Sequence, residues 1–296
     1  ALSDIDKINK NESNIVLLRS TVVPGTSSML QKKFPNLRIV FNPEFLTERS
    51  ALFDFINQFS LSYANDAGRR QTRFENTKIR NVDAGKREIF LHSETSFSPS
   101  QPEIIWFYCV NPGNDNSGKT VYCDGLELWN KLSPKHKIFF LENPILYKLK
   151  IPIEKKMKGK SKKKWFLEYP GVKNCFLNYK SNSLEFDFVK FALEKSRIAK
   201  KFSFANHLLI PLDSEPQILQ RKFLNNKKIK KEDFNEIFKK AYDLTNEITW
   251  KKNDLVMIDN LRFMHGRRKI NKKNNSRDIV TIQTMISSFG YGSTLP

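Results

Sequence analysis

Cysteine is scarce in this chain of 296 residues, and a membrane-length apolar run and a glycine-rich phosphate turn are missing from it. Its three cysteines, Cys109, Cys123 and Cys175, stand far apart with no Cys-x-x-Cys spacing. An odd and patternless set argues against a disulfide framework, and all three read as reduced core residues. No window is long enough to span a bilayer, and the first residues do not form a charged, then apolar, leader. The expectation is therefore a soluble, cytoplasmic protein with no membrane partner. Without a glycine-rich dinucleotide turn, a complete nucleotide-binding α/β domain is excluded. Acidic residues are also short: 51 Lys and Arg face 31 Asp and Glu, for a net charge of +20.

Such a balance suits nucleic acid or an acidic membrane surface. The excess is mostly Lys, however, and is spread along the chain. Its densest runs, residues 155–164 and 227–231, are not interleaved with aromatic side chains as a base-stacking platform requires. They read as solvated loops and helix faces, so nucleic acid is not the expected partner. The alternatives to that expectation are a nucleic-acid-modifying enzyme, tested by salt-sensitive oligonucleotide binding, and an inactive or truncated product.

What is present is apolar material: 39% hydrophobic residues, including 24 Phe. That suffices for one large domain, or one domain with an appendage. Along the chain, residues 15–18 and 37–41 read as strands around a helix from Thr26 or Ser27 to about Phe34, an α/β pattern, with a further helical stretch at 51–56. Residues 59–86 are polar and read as loop, of a length that often forms a lid. Three short β-rich runs follow at 87–94, 104–110 and 119–123, separated by Pro, Gly and Asn, in the rhythm of a barrel or jelly roll. Helical turns are expected at 126–132 and from Ser133-Pro134. Residues 154–164 read as an exposed excursion, and 166–179 and 202–211 as weaker strands. Phe234, Ile237, Phe238, Ala241, Leu244 and Ile248 follow helical spacing and predict a helix over 233–250. The unbroken apolar run 255–258 predicts a buried strand, and 277–286 the last one.

The chemistry starts from Leu91-His92-Ser93-Glu94. Two apart on an extended strand, His92 and Glu94 face the same side. If His265 joins them, two histidines and one carboxylate make the facial set that leaves open positions on non-haem Fe(II). His136 reads as a solvent-facing helix residue, His207 as structural, and Arg267 and Arg268 as partners of Asp259 or surface charges.

Two resemblances add to this. Residues 1–58, with Ser20-Thr21-Val22-Val23-Pro24-Gly25-Thr26 and Asn42-Pro43-Glu44-Phe45-Leu46, resemble a fragment of the UDP-glucose dehydrogenase family, without its nucleotide turn or its catalytic thiol setting, and are expected to be non-catalytic. Residues 59–296 resemble the taurine dioxygenase (TauD/TfdA) family. The carriers are LHSETSFSPSQP from Leu91, GKTVYCDGLELWNKL from Gly118 and WKKNDLVMIDNLRFMHGRR from Trp250. This resemblance implies a mainly β fold with flanking helices, a double-stranded β-helix (jelly roll) over 59–296 preceded by the short α/β fragment. It implies an Fe(II)- and 2-oxoglutarate-dependent dioxygenase, consuming dioxygen, with His92, Glu94 and His265 as catalytic iron ligands and Thr120 and Arg277 holding 2-oxoglutarate. Both side-chain types suit a carboxylate, the guanidinium through its planar fork. Glu94 stands where many relatives have Asp, a variation itself seen in relatives acting on free or carrier-bound amino acids, and it fills the position a halide would need. Asn253 replaces a turn glycine; Val280 or Thr281 stands where the taurine enzyme keeps a second Arg. The expected substrate is a small molecule, an amino acid or small carboxylate rather than taurine.

Overall fold

The computed structural model describes residues 15–18, 26–41, 55–64, 72–73, 78–82, 85–152, 169–271, 273 and 276–287. The chain divides into two compact units, Ala1–Phe59 and Ser60–Pro296. In the first, strand β1 (Ile15–Leu18) pairs in parallel with β2 (Arg38–Phe41), and helix α1 (Thr26–Lys33) makes the crossover. That is the expected strand–helix–strand order. The second stretch quoted for the dehydrogenase likeness, 42–46, lies outside the described residues, as do 51–54 of the expected helix.

Among its described residues the second unit has three larger antiparallel sheets and the two-stranded pair β11-β12. Its elements are β3 (Ser60–Tyr63), β4 (Arg80–Asn81), β5 (Ile89–His92), β6 (Ile104–Asn111), β7 (Thr120–Asp124), helices α2 (Gly125–Lys131) and α3 (Pro134–Glu142), β8 (Ile145–Pro152), β9 (Val172–Asn178) and β10 (Ser183–Lys190). There follow β11 (Glu194–Lys195), β12 (Phe202–Ser203), β13 (Ile218–Phe223), α4 (Lys231–Asp243), β14 (Asn246–Ile248), β15 (Leu255–Asp259), β16 (Phe263–Arg267) and β17 (Asp278–Ser287). One sheet runs β14-β7-β16-β5, a second β15-β6-β17-β3 with β4 also on β17, and a third β13-β8-β10-β9. The mainly β, jelly-roll architecture expected from the resemblance is the one observed.

Strands β7, β16 and β5 of the β14-β7-β16-β5 sheet bury residues on both faces, and their period-two alternation sorts the side chains. Leu91, Val121, Cys123 and Met264 enter the large apolar core shared with α2, α3, α4 and the third sheet. His92, Thr120, His265 and Arg267, of the opposite parity, are also buried. On that side the ring of Phe107 from β6 meets His265 at 5.4 Å, so the two sheets face each other across the histidines. All three cysteines are buried. Burial pushes the Cys109 thiol up to about 11 and the Cys123 thiol up to about 12, which leaves both protonated and inert.

Local chemistry explains where the helices start. Asp124 caps α2 by accepting the Leu126 N–H at 2.9 Å, and Ser133 caps α3 with Pro134 in its first turn. The helix expected over 233–250 ends sooner. After Asp243 the Thr245 hydroxyl donates to the Tyr242 carbonyl at 2.6 Å, and 246–248 leaves to pair with the open edge of β7. A ladder available only in the folded protein wins over helical spacing. The same ladder logic corrects the loop reading of 59–86, since β3 and β4 within it both pair with β17. β15 is an edge strand rather than a buried one, and its Met257 is 42% exposed. The 154–164 excursion lies outside the described residues.

Candidate active site

β16 pairs with β5 so that His265 lies directly opposite His92. Their rings approach to 4.6 Å between centroids. The ladder is irregular just beyond, and Gly266 is required there: a Cβ on it would stand 2.5 Å from the Ile89 carbonyl oxygen. Glu94 reaches the same place, though not as a strand residue two steps from His92. β5 ends at His92, and the chain turns through Ser93, Glu94 and Thr95, the last at φ +47°. The turn is set by buried partners. The Ser93 N–H donates to the Asn206 carbonyl at 2.9 Å, and the Glu94 N–H donates to Asn260 Oδ1 at 2.7 Å.

His92, Glu94 and His265, all buried, each offer a ligand atom within 4.8 Å of the others. The Glu94 carboxylate oxygen lies 3.6 Å from His92 Nε2 and 3.7 Å from His265 Nε2. These separations exceed direct hydrogen bonds, so the donors gather around a shared space. The donor chemistry fits a ferrous ion. His92 Nδ1 lies 2.8 Å from the Phe90 carbonyl, an acceptor only, so Nδ1 carries the proton and Nε2 keeps its lone pair toward Glu94. Burial works against a charged His92, but the adjacent Glu94 carboxylate outweighs it and leaves this imidazole above its ordinary value.

Thr120 opens β7, buried, opposite Arg267 on β16 and Ile248 on β14. Its hydroxyl oxygen accepts the Trp250 indole N–H at 3.0 Å, leaving the hydroxyl proton free for another acceptor. Arg277 stands just before β17, and its guanidinium makes no hydrogen bond or ion pair among the described residues. Burial, and Arg267 nearby, pull it down to about 10, so it stays charged at neutral pH. Gly118, two residues before Thr120, is close to it: a Cβ there would come within 3.2 Å of Arg277 Nε.

Several other residues singled out in the sequence take different places from those expected of them. Arg267 is buried and donates Nη2 to the Gly85 and Arg87 carbonyls at 2.8 and 3.0 Å. Asp259 is held instead by Ser196, and Arg268 pairs with Glu247 and Glu88. His207 is buried between Glu215, 3.1 Å from Nε2, and the Ser93 carbonyl, with its ring edge-on to His92 at 5.3 Å. Burial holds it below its ordinary value against the pull of Glu215. The structural reading of His207 thus stands, but at the wall of the site. His136 is buried rather than solvent-facing, and sits 3.4 Å from Asp233 beside Glu236. Lys135 and Lys240 already neutralise those two carboxylates.

Residues 34–283 match the family described as taurine catabolism dioxygenase TauD, TfdA family. The match starts inside the stretch likened to UDP-glucose dehydrogenase, a likeness that the comparisons do not support. Among solved structures, AAD-2 in complex with Mn(II) and N-oxalylglycine is similar at 15% identity and TM-score 0.53, over 93% of this chain and 91% of that one. A putative alpha-ketoglutarate-dependent taurine dioxygenase from Burkholderia xenovorans is similar at 10% identity and TM-score 0.54, over 93% and 87%. A taurine dioxygenase from the same organism is similar at 12% identity and TM-score 0.50, over 90% and 82%. No curated protein matches the chain. Among the described residues no helix is long and apolar enough to cross a membrane. With a family match that spans most of the chain, the jelly-roll fold and a buried two-histidine, one-carboxylate cluster, this protein belongs to the TauD/TfdA family of Fe(II)/2-oxoglutarate-dependent dioxygenases.

Proposed function

We propose that this dioxygenase hydroxylates a small molecule, an amino acid or small carboxylate, with Fe(II) held by His92, Glu94 and His265 and 2-oxoglutarate anchored by Thr120 and Arg277. The observation that carries the reading is the convergence of three buried ligand-type side chains from segments 171 positions apart, between Glu94 and His265, onto one space. Bound iron and 2-oxoglutarate supply the oxidising chemistry, in which dioxygen decarboxylates the co-substrate to succinate and the second oxygen atom enters a substrate C–H bond.

The protein's share is binding, orientation and exclusion of water. His92 presents Nε2 because Phe90 holds the proton on Nδ1. The Glu94 carboxylate offsets part of a dication's charge in a site closed from solvent. Arg277 offers its fork to the far carboxylate of 2-oxoglutarate, and the Thr120 hydroxyl, oriented by Trp250, donates beside it. Arg267 adds a second positive charge to that end of the site, which favours a dianion. Val280 and Thr281 are buried where the taurine enzyme keeps its second Arg, which supports a substrate other than taurine.

Succinate release from 2-oxoglutarate with Fe(II) and ascorbate tests the assignment before any substrate is known. The expected result is turnover by the wild type and background in His92→Ala. Succinate formation by His92→Ala at the wild-type rate would overturn it.

A further inference from the structure

Beyond the ligands themselves, we infer that Asn260 is the positioning residue of this centre. Its side chain fixes the backbone of Glu94, and so the direction of the carboxylate, from the turn that leads to His265. The inference rests on the reading of Glu94 as a metal ligand. Asn260 lies between β15 and β16, five residues before His265, and is fully buried. Its Oδ1 accepts the Glu94 N–H at 2.7 Å, and its Nδ2 donates to the Glu94 carbonyl at 3.1 Å and the Pro102 carbonyl at 2.8 Å. The partners fix which way the amide points, since one N–H demands the oxygen and two carbonyls demand the nitrogen. Its main chain is engaged as well. The N–H donates to the Glu103 carbonyl at 2.8 Å, and its carbonyl accepts the Ser93 hydroxyl at 2.7 Å.

This clamp stands where regular structure fails to do the work. The β5–β16 ladder carries His92 and His265 into register, but it ends at His92. Glu94 lies beyond it, next to a residue at positive φ. Asn260 grips both backbone polar groups of Glu94, in the manner of a strand partner. It thereby ties the carboxylate to the turn that leads into β16, which bears the second histidine. Metal ligands held by such outer partners lose metal affinity when the partner is removed, although the ligand atoms themselves are untouched.

The test is Mn(II) binding to full-length, metal-free protein, with free Mn(II) read by electron paramagnetic resonance, alongside thermal melts. Asn260→Ala is expected to raise the Mn(II) Kd about 10- to 100-fold. Asn143→Ala is the control: Asn143 is also buried and donates to the Phe139 carbonyl at 2.8 Å, away from the site. It should lower the melting temperature and leave the Kd unchanged. In a Glu94→Ala background, Asn260→Ala should change the Kd by less than about twofold, because the carboxylate it directs is gone. Should Asn260→Ala not fold, Asn260→Ser carries the test by the same criteria. The inference is overturned if Asn260→Ala binds Mn(II) like the wild type while Glu94→Ala binds weakly. It is equally overturned if the loss persists undiminished in the Glu94→Ala background. Wild-type binding by Glu94→Ala itself is a separate outcome, which removes the ligand assignment and the inference with it.

Discussion

Gly118→Ala tests the proposed 2-oxoglutarate anchor without replacing either anchoring residue. Gly118 has φ +70°, and an added methyl carbon would stand 2.5 Å from Ile270 Cγ1, 3.2 Å from Arg277 Nε and 3.3 Å from Arg277 Cδ. The left-handed backbone costs an L-residue about 1–2 kcal/mol. Overpacking against Ile270 adds about 1–3 kcal/mol. Together these give about 2–5 kcal/mol, or a fall of about 4–20 °C in melting temperature for a chain of this size. Part of the clash is relieved by displacing the long Arg277 side chain, which turns its fork away from its proposed carboxylate partner. One charge-assisted hydrogen bond lost is worth about 1.5–3 kcal/mol, so the Kd for 2-oxoglutarate should rise about 10- to 150-fold. Mn(II) affinity in the absence of 2-oxoglutarate should hold, because none of the atoms displaced belongs to His92, Glu94 or His265. Calorimetric titration of Mn(II)-loaded protein with 2-oxoglutarate, beside a thermal melt, reads both effects. A lowered melting temperature with wild-type 2-oxoglutarate affinity would refute the role given to Arg277.

Two further outcomes follow from the same geometry. Trp250→Phe removes the indole N–H that Thr120 accepts at 3.0 Å and should cost about 1 kcal/mol of stability, with a several-fold rise in the KM for 2-oxoglutarate; a KM equal to that of the wild type would separate Trp250 from the anchor. In metal-free protein the folded-state pKa of His92 is raised above its ordinary 6.5. Its contribution to stability is then full below that value and is lost as pH rises through the folded pKa. Melting temperatures of the wild type minus those of His92→Gln should therefore shrink as pH rises, while Mn(II) affinity climbs because the imidazole must be neutral to bind. A difference that widens with pH would contradict the His92–Glu94 pairing.

The strands of the jelly roll were legible because alternation and turn residues are local. β6 begins at Ile104 as expected and β7 one residue after its expected start, and α3 starts at the expected Ser133-Pro134. Asn253 adopts φ +72°, as the substitution of Asn for a turn glycine requires. What failed locally failed where a distant partner decided. Helical spacing across Leu244 and Ile248 was overridden by the free edge of β7. The polar stretch holding β3 and β4 became sheet because β17 offered its edge. An unbroken apolar run in β15 did not make a buried strand, because among the described residues no strand pairs with its outer side.

For the site, the sequence by itself determined the cast: a histidine and a carboxylate two apart, a second histidine after an apolar strand, and an arginine twelve positions later. Those residue types suffice for the chemistry. Their convergence was decided only by tertiary structure, because register between β5 and β16 is a property of a closed sheet and not of either strand. The same holds for Glu94, which reaches the histidines from a turn held by Asn260 rather than from the strand that period two suggested. Hydrogen bonds between residues 166 positions apart leave no local pattern, so the proposed ligands could be picked out from the chain and the groups around them could not.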